Sequence, residues 1–302
     1  MVNLQFSPLD QEGLSQQLRL WLPSNLREKE FNLEHDFGWV ARLDSETLGF
    51  CWGSEYRYRG KKRSFLNWVH VQDSYRCNEV ATELIRRTEK DALDRGHIQI
   101  SASVEQSHHK PATFRILQRN GWEQPYLFSY CYRMTITGFF ENAPWAHPVR
   151  EYPYQKYIFP WAELSAKERK SLEDEEGPDS WKEDSSQVSP LTFNLNFEPH
   201  PSLGMRIYNQ VVAWNINQMY GVDALLYGAF FVRKQYRRSG LAIPLLLESF
   251  TRQRALGIPD CIWFTHEANK GAILLYDKMF SSCLLSRTPV YQAAKQLLQK
   301  SI

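Results

Sequence analysis

Long apolar runs and an excess of charge are both missing from this sequence of 302 residues. No stretch approaches the ~18 uncharged apolar residues of a membrane-spanning helix. The chain has 36 basic and 34 acidic residues, a net charge of +2, which gives no strong field toward nucleic acid or an anionic membrane. The first residues lack the basic and then apolar pattern of a signal peptide. We therefore expect neither a membrane span nor a leader.

Cysteine is also scarce. The five cysteines include no C-x-x-C pair, so neither a disulfide framework nor a zinc cluster is expected, and no metal is predicted. This usage is typical of a reducing compartment and predicts a cytoplasmic protein. Aromatic residues, by contrast, make up 14% of the chain, with 10 Trp, which excludes disorder of the whole chain.

The pattern of predicted elements occurs twice along the chain. Each half reads as strand, helix, hairpin, strand, helix, strand and helix, and four prolines between residues 142 and 160 mark a break. The sequence therefore predicts an α/β fold with mixed sheets, in two tandem domains at 1–145 and 146–302. Between Glu173 and Pro190 the chain is acidic and poor in apolar residues, which predicts an exposed, mobile loop.

The most informative segment joins a predicted buried strand to a helix. Phe230, Phe231 and Val232 end the strand, and Arg237-Arg238-Ser239-Gly240-Leu241-Ala242 leads into the helix. A helix start offers unpaired N–H groups and a positive dipole end, and a glycine lets the backbone approach a ligand closely. With two arginines beside them, these features predict a cradle for a diphosphate. The segment lacks the Lys-Ser/Thr of a nucleotide-hydrolysing loop and the three glycines of a dinucleotide fold.

This segment resembles the R-x-x-G-x-G/A acyl-CoA motif of the GNAT superfamily of N-acyltransferases. A second motif of that family resembles the stretch with Asn269, Ala272, Leu275 and Tyr276, although Phe280-Ser281 replaces its final Gly-Phe. The resemblance covers residues 152 to 290 and implies two tandem GNAT-like domains, the second of which binds acyl-CoA. It implies a donor site that comprises Phe230, Phe231, Val232, Arg237, Arg238, Ser239, Gly240, Leu241, Ala242 and Asn269.

The resemblance also implies a mechanism, in which an amine attacks the thioester directly and no covalent enzyme intermediate forms. Tyr276 would protonate the leaving thiolate, and the backbone N–H of Val232 would polarise the carbonyl. For the general base three residues stay open: Glu267 and His266, which follow the next predicted strand, and Asp223.

The first half carries Arg76-Cys77-Asn78-Glu79-Val80-Ala81 at the equivalent turn. Glu79 stands where the cradle needs glycine, and Leu117 stands where the acid Tyr would be. The first half is therefore predicted to be a degenerate GNAT-like copy without catalysis.

Three functions remain possible from the sequence. The first is N-acyl transfer from acetyl-CoA, a longer acyl-CoA or an acyl carrier protein to a small-molecule or peptide amine. The second is a non-catalytic acyl-CoA-binding or regulatory module. The third is an aminoacyl-tRNA-dependent transferase, which the basic hairpin at residues 56–63 favours and the balanced charge opposes. The acidic run at 173–184 is a solvated loop or an attraction for a cationic amine.

Overall fold

A computed structural model describes residues 4–9, 14–27, 29–58, 60–76, 79–105, 110–147, 152, 154–177, 180–183, 189–191 and 197–297. Its contacts divide the chain into unit 1, Met1–Ser129 with Thr288–Ile302, and unit 2, Tyr130–Arg287. The sequence predicted one boundary near residue 145, and the structure divides the chain differently. Each of the two points of division falls inside a strand. Residues 130–147 pack with the second half of the chain, whereas the last strand pairs with a strand of the first half.

Unit 1 is a sheet with helices on both faces. Strands β1 to β5 and β12 follow one another in the order β1-β2-β3-β4-β5-β12. Helix α3 packs on one face through Leu84, Ile85 and Ala92, and α1 packs on the other face through Leu18. The elements are β1 (Leu4–Pro8), α1 (Gln16–Leu20), α2 (Ser24–Arg27), β2 (Asp36–Leu43), β3 (Glu46–Tyr58), β4 (Lys61–Val71), α3 (Val80–Asp94), β5 (Gln99–Glu105), α4 (Lys110–Arg119) and the later part of β12 (Leu284–Gln296).

Unit 2 repeats this arrangement with strands β6 to β11 in the order β6-β11-β10-β9-β8-β7. One face carries α5, α7 and α8 over an aromatic core that includes Phe139, Phe250 and Phe280. The other face carries α6, whose Leu172 packs with Trp214. The elements are β6 (Tyr126–Thr135), α5 (Ile136–Asn142), β7 (Ile158–Pro160), α6 (Ala166–Glu173), β8 (Leu203–Ile207), β9 (Gln210–Met219), β10 (Ala224–Val232), α7 (Ala242–Ala255), β11 (Asp260–His266) and α8 (Lys270–Phe280).

The internal duplication predicted from the sequence is confirmed, with a constant offset of 161 residues through the middle of each unit. Short 3-10 turns at Asp73–Tyr75 and Lys234–Tyr236 occupy equivalent positions. Gly96 and Gly257 follow α3 and α7 with φ of +79° and +72°. A left-handed residue directly after a helix ends it, and glycine adopts this conformation without steric cost. The same local sequence signals therefore end the same helix in both units.

The acidic segment after α6 was predicted to be an exposed, mobile loop, but part of it is buried. Among its described residues, Ser180 and Trp181 are buried, and the indole of Trp181 donates to the Leu172 carbonyl at 3.0 Å. Trp181 anchors the described part of the segment, because its large apolar surface is withdrawn from water. Helix α6 begins at Ala166, since Ser165 caps it and forms a capping box with Glu168.

Helices of membrane-spanning length and apolarity are absent from the described part of the chain.

Candidate functional site

In unit 2, two neighbouring parallel strands separate and leave an opening between them. Strand β10 pairs with β11 only from Ala224↔Asp260 to Leu226↔Ile262. A register shift between Tyr227 and Ala229 follows in the pairing of β10 with β9, so β10 bends there. The later residues of β10 therefore border an opening on the side that β11 has left.

The backbone of β10 directs N–H groups into this opening. The N–H of Arg233 donates to the Val212 carbonyl of β9 at 2.9 Å. Because N–H groups alternate in direction along a strand, those of Phe230 and Val232 point away from β9. The direction of the Val232 N–H therefore suits its predicted task of polarising a carbonyl in the opening. The N–H of Phe230 points into the opening as well. The carbonyl of Val232 already accepts a bond from Nε of Arg237 at 2.9 Å.

The turn after β10 has the conformation and the space expected of a cradle. Gly240 has a φ of +86°, and a Cβ built on it would meet no atom within 4 Å. Helix α7 then starts at Ala242 with no side-chain cap and no acidic residue in its first turn. Its first N–H groups lack intrahelical partners and carry the positive end of the helix dipole. Arg237, Arg238 and Ser239 are exposed beside it, and Leu241 is buried beneath it.

The equivalent turn of unit 1 carries the opposite charge. Asp73, Glu79 and Glu83 stand where unit 2 has Lys234, Gly240 and Pro244. Cys77 and Asn78 of the turn lie outside the described residues. The guanidinium of Arg76 is paired with Asp73 at 2.7 Å. An anion therefore meets carboxylates at unit 1 and cationic side chains at unit 2.

Arg233, which directly follows Val232, anchors the acidic segment. Its guanidinium donates to both carboxylate oxygens of Glu175 at 2.7 and 2.6 Å, and its Nε donates to the Val211 carbonyl at 2.8 Å. Both side chains are largely buried, so this pair is weakly screened. Glu175 is thereby committed to Arg233 and is not available to an acceptor amine.

Tyr276, the predicted acid, lies in an aromatic cage. Its ring is 5.9 Å from Tyr132, 5.8 Å from Trp263 and 6.2 Å from Phe280. Burial raises the pKa of Tyr276 to about 12. The hydroxyl therefore stays protonated at physiological pH and can donate a hydrogen bond.

The cage contains residues that the sequence analysis did not assign to the site. Tyr132 stacks flat on Trp263, with centroids 5.2 Å apart and planes at 4°. Its hydroxyl donates to Asp277 at 3.4 Å, and Asp277 pairs with Arg287 at 2.7 Å. Tyr132 lies in β6, before the predicted boundary, and no motif marks it. Its position on an alternating strand was the only sequence signal.

The two candidate bases that follow β11 are engaged in local contacts. Glu267 is exposed, and the hydrogen bond from Lys270 at 2.9 Å lowers the pKa of its carboxyl. The ring Nδ1 of His266 accepts the N–H of Ala268 at 3.1 Å. A neutral imidazole bound in this way carries its proton on Nε2, so that nitrogen is a donor.

Asn269 and Asp223 are placed differently from their predicted roles. The side-chain oxygen of Asn269 caps α8 by accepting the N–H of Ala272 at 3.1 Å. Asp223 precedes β10 at the end where β10 and β11 are still paired. At ~3.3 Å per residue, the nine residues of β10 separate it from the cradle by roughly 30 Å. This distance argues against Asp223 as the base.

Unit 1 has the same strand separation but a different interior. Strands β4 and β5 pair only at Ser64↔Ile100 and Phe65↔Ser101. Leu117, which the sequence analysis predicted in the place of the acid, is buried in the core of unit 1. No cluster of His, Cys, Asp and Glu suited to a metal ion occurs among the described residues of either unit.

Comparisons with known proteins agree with this geometry. Residues 6–115 match the model of the Acetyltransferase (GNAT) family. The match lies in unit 1, whereas the glycine cradle lies in unit 2. No curated protein matches the chain in sequence.

Three solved structures share the fold over nearly the whole chain. A tandem GNAT protein from the clavulanic acid biosynthesis pathway is 11% identical, with a TM-score of 0.67, and the match covers 99% of this chain and 100% of that one. A glucosamine N-acetyltransferase region of a fungal GH3 beta-N-acetylglucosaminidase is 11% identical, with a TM-score of 0.67 and coverages of 97% and 38%. A GCN5-related N-acetyltransferase from Sphaerobacter thermophilus is 19% identical, with a TM-score of 0.58 and coverages of 94% and 85%. The chain therefore has a tandem fold of this type.

Proposed function

We propose that this chain, whose residues 6–115 belong to the Acetyltransferase (GNAT) family and whose two units form a tandem GNAT fold, is an N-acyltransferase that works through unit 2. The observation that carries the proposal is the opening between β10 and β11, which ends at Gly240 and the uncapped start of α7. A diphosphate fits the cradle, and the extended arm of a coenzyme A thioester fits the opening as an added strand.

Coenzyme A, when bound, supplies the acyl group as a thioester. The residues of the cradle hold its diphosphate: Arg237, Arg238, Ser239 and the N–H groups at Gly240, Leu241 and Ala242. Phe230 and Val232 present N–H groups to the thioester carbonyl oxygen as negative charge develops there. The amine nitrogen forms a bond to the carbonyl carbon, the carbon–sulfur bond breaks, and the sulfur takes the electron pair.

Two protons then have to move. The hydroxyl of Tyr276 donates to the departing sulfur, which is the role its protonated state allows. The amine must lose a proton, and Glu267 directly follows β11 at the end where β11 no longer pairs with β10. We assign it that proton, passed through water, because its pairing with Lys270 makes it a weak base on its own. His266 would then donate from Nε2 to the acceptor.

A short acyl group suits the packing on both faces of β10. The ring of Phe250 packs against the rings of Phe139, Trp145 and Tyr227. The ring of Phe231 stacks on that of Trp214, with the ring centroids 4.5 Å apart. Since these rings contact one another, a long acyl chain would have to displace them. We therefore propose acetyl-CoA as the donor and a small-molecule amine as the acceptor. The glucosamine in the name of the fungal relative is an acceptor of this class.

Calorimetry with acetyl-CoA tests the donor site. We expect one site per chain and a loss of affinity of roughly 100-fold or more in Gly240→Glu, because a carboxylate would face the diphosphate. Gly240→Asn is the matched control, since asparagine tolerates a positive φ and is uncharged, and it should lose far less. Two equal sites per chain, or an unchanged affinity in Gly240→Glu, would contradict the proposal. Release of free thiol in response to an amine separates an enzyme from a binding module.

A further inference from the structure

Two polar groups of β11 are buried without any hydrogen-bond partner. The indole Nε1 of Trp263 and the hydroxyl of Thr265 are both enclosed, and no described residue bonds to either. The two side chains are 7% and 5% exposed. Buried polar groups in proteins are nearly always paired, so two such groups on neighbouring positions of one strand require an explanation.

Their position places both groups beside the opening. Trp263 and Thr265 are two residues apart and leave β11 on the same face, together with Cys261. Cys261 Sγ contacts Oε1 of Gln253 on α7 at 3.1 Å, so this face looks toward the helices. The pairing of β10 with β11 has already ended at Ile262. Both groups therefore lie on the stretch of β11 that no longer pairs with β10.

The tryptophan has no freedom to turn toward another partner. Its ring is stacked flat on Tyr132 and meets the ring of Tyr276 edge to face at 69°. An indole N–H is a donor only, whereas a threonine hydroxyl both donates and accepts. The one kind of group that both can bind is a hydrogen-bond acceptor that enters the opening.

We propose that Trp263 and Thr265 form a polar subsite for a carbonyl oxygen on the thioester-bearing arm of the acyl donor. The proposal rests on the proposed function, because the arm is what enters the opening. It assigns to these side chains a part of donor recognition beyond the diphosphate cradle and the strand backbone. Valine would fill the space of Thr265 without an unpaired polar atom, and phenylalanine would keep an aromatic ring at Trp263 without the indole N–H. The polar pair is therefore explained by a ligand that bonds to both groups.

The substitutions Thr265→Val and Trp263→Phe test this subsite, with unfolding measured without ligand and affinity measured by calorimetry. We expect Thr265→Val to be at least as stable as the wild type, because an unpaired buried group is removed. Trp263→Phe should be somewhat less stable, because the smaller ring leaves a cavity. The affinity for acetyl-CoA should fall roughly 5- to 30-fold. Adenosine 3′,5′-bisphosphate, which lacks the arm, should bind all forms equally. Thr251→Val is the matched control, since that hydroxyl already donates to the Leu247 carbonyl at 2.8 Å.

Free coenzyme A identifies the carbonyl involved. A loss seen only with acetyl-CoA assigns the thioester carbonyl, and an equal loss with free coenzyme A assigns an amide of the arm. Unchanged acetyl-CoA affinity together with lower stability would overturn the subsite, because the two groups would then hold an internal water. Weaker binding of adenosine 3′,5′-bisphosphate would also overturn it. If the wild type binds neither nucleotide, the proposed function itself fails.

Discussion

Glu79 and Gly240 occupy the same position in the two units, and both have a left-handed backbone, with φ of +59° and +86°. This position therefore keeps a left-handed φ whether or not glycine is present. In unit 2 the glycine leaves open space at the start of α7. In unit 1 a glutamate holds the same strained conformation, and a non-glycine residue there costs about 1–3 kcal/mol. We therefore predict that unit 1, which has the same fold, does not bind an anion at this turn.

Replacement of Glu79 by glycine should stabilise unit 1. Relief of the strained φ outweighs the greater backbone entropy of glycine, and we expect a net gain of about 0.5–1 kcal/mol in the free energy of unfolding. Urea denaturation measures this gain. Glu79→Asn, which also tolerates a positive φ, should gain by a similar amount. The variant should still bind one donor per chain, since Asp73 and Glu83 remain, and a second site would show that unit 1 is only one residue from binding.

Replacement of Tyr276 by phenylalanine should slow acyl transfer and leave donor binding intact. The ring keeps its contacts with Trp263 and Phe280, so the acetyl-CoA affinity should change less than about twofold, whereas kcat should fall roughly 100-fold. Because the pKa of Tyr276 is raised to about 12, the shape of the pH profile between 6 and 10 should be the same in both forms. Tyr75→Phe, in unit 1, serves as the control and should leave kcat unchanged. An unaltered kcat in Tyr276→Phe would remove this residue from the mechanism.

Acid should destabilise unit 2 through Glu168. Hydrogen bonds from Arg206 at 2.6 and 3.1 Å, with help from Ser165, lower the pKa of this carboxyl from 4.5 to about 2. A lowered folded-state pKa contributes stability above pH 4.5, and that contribution is lost as the pH falls from 4.5 toward 2. Solvent screening of this partly exposed pair limits the contribution to about 1–2 kcal/mol. Urea unfolding of wild type and Glu168→Gln at pH 7 and pH 3 measures it. The variant should be less stable at pH 7 and should depend less on pH, and parallel curves would refute the assignment.

Removal of the last strand should unfold unit 1, although that strand is far away in sequence. Residues Val290–Gln296 of β12 pair with β5, and Lys295 bonds the largely buried carboxylate of Glu89. A chain that ends at Arg287 would expose the edge of β5 and leave the largely buried carboxylate of Glu89 without its cation. We expect loss of the cooperative unfolding transition of unit 1, measured by circular dichroism. A chain that ends at Leu297 keeps these contacts and should behave as the wild type.

The cradle is the part of the site that local sequence determines. Positive φ at Gly240, the uncapped start of α7 and the arginines beside it all follow from neighbouring residues, so one short motif predicts them. The same holds for the repeat of elements and for the glycines that end α3 and α7. Turns and helix ends depend on interactions within a few residues, which the sequence displays directly.

The rest was decided by the tertiary structure. Tyr132 reaches Tyr276 from before the predicted boundary, and β12 joins a unit whose other strands end some 180 residues earlier. Glu175 contacts Arg233 across 58 residues, and this contact anchors the start of a segment that the sequence predicted to be a mobile loop. Pairing between distant segments depends on which edges and faces the folded sheet leaves open. Hydrophobic periodicity shows that a strand has a buried face but not which neighbour covers it.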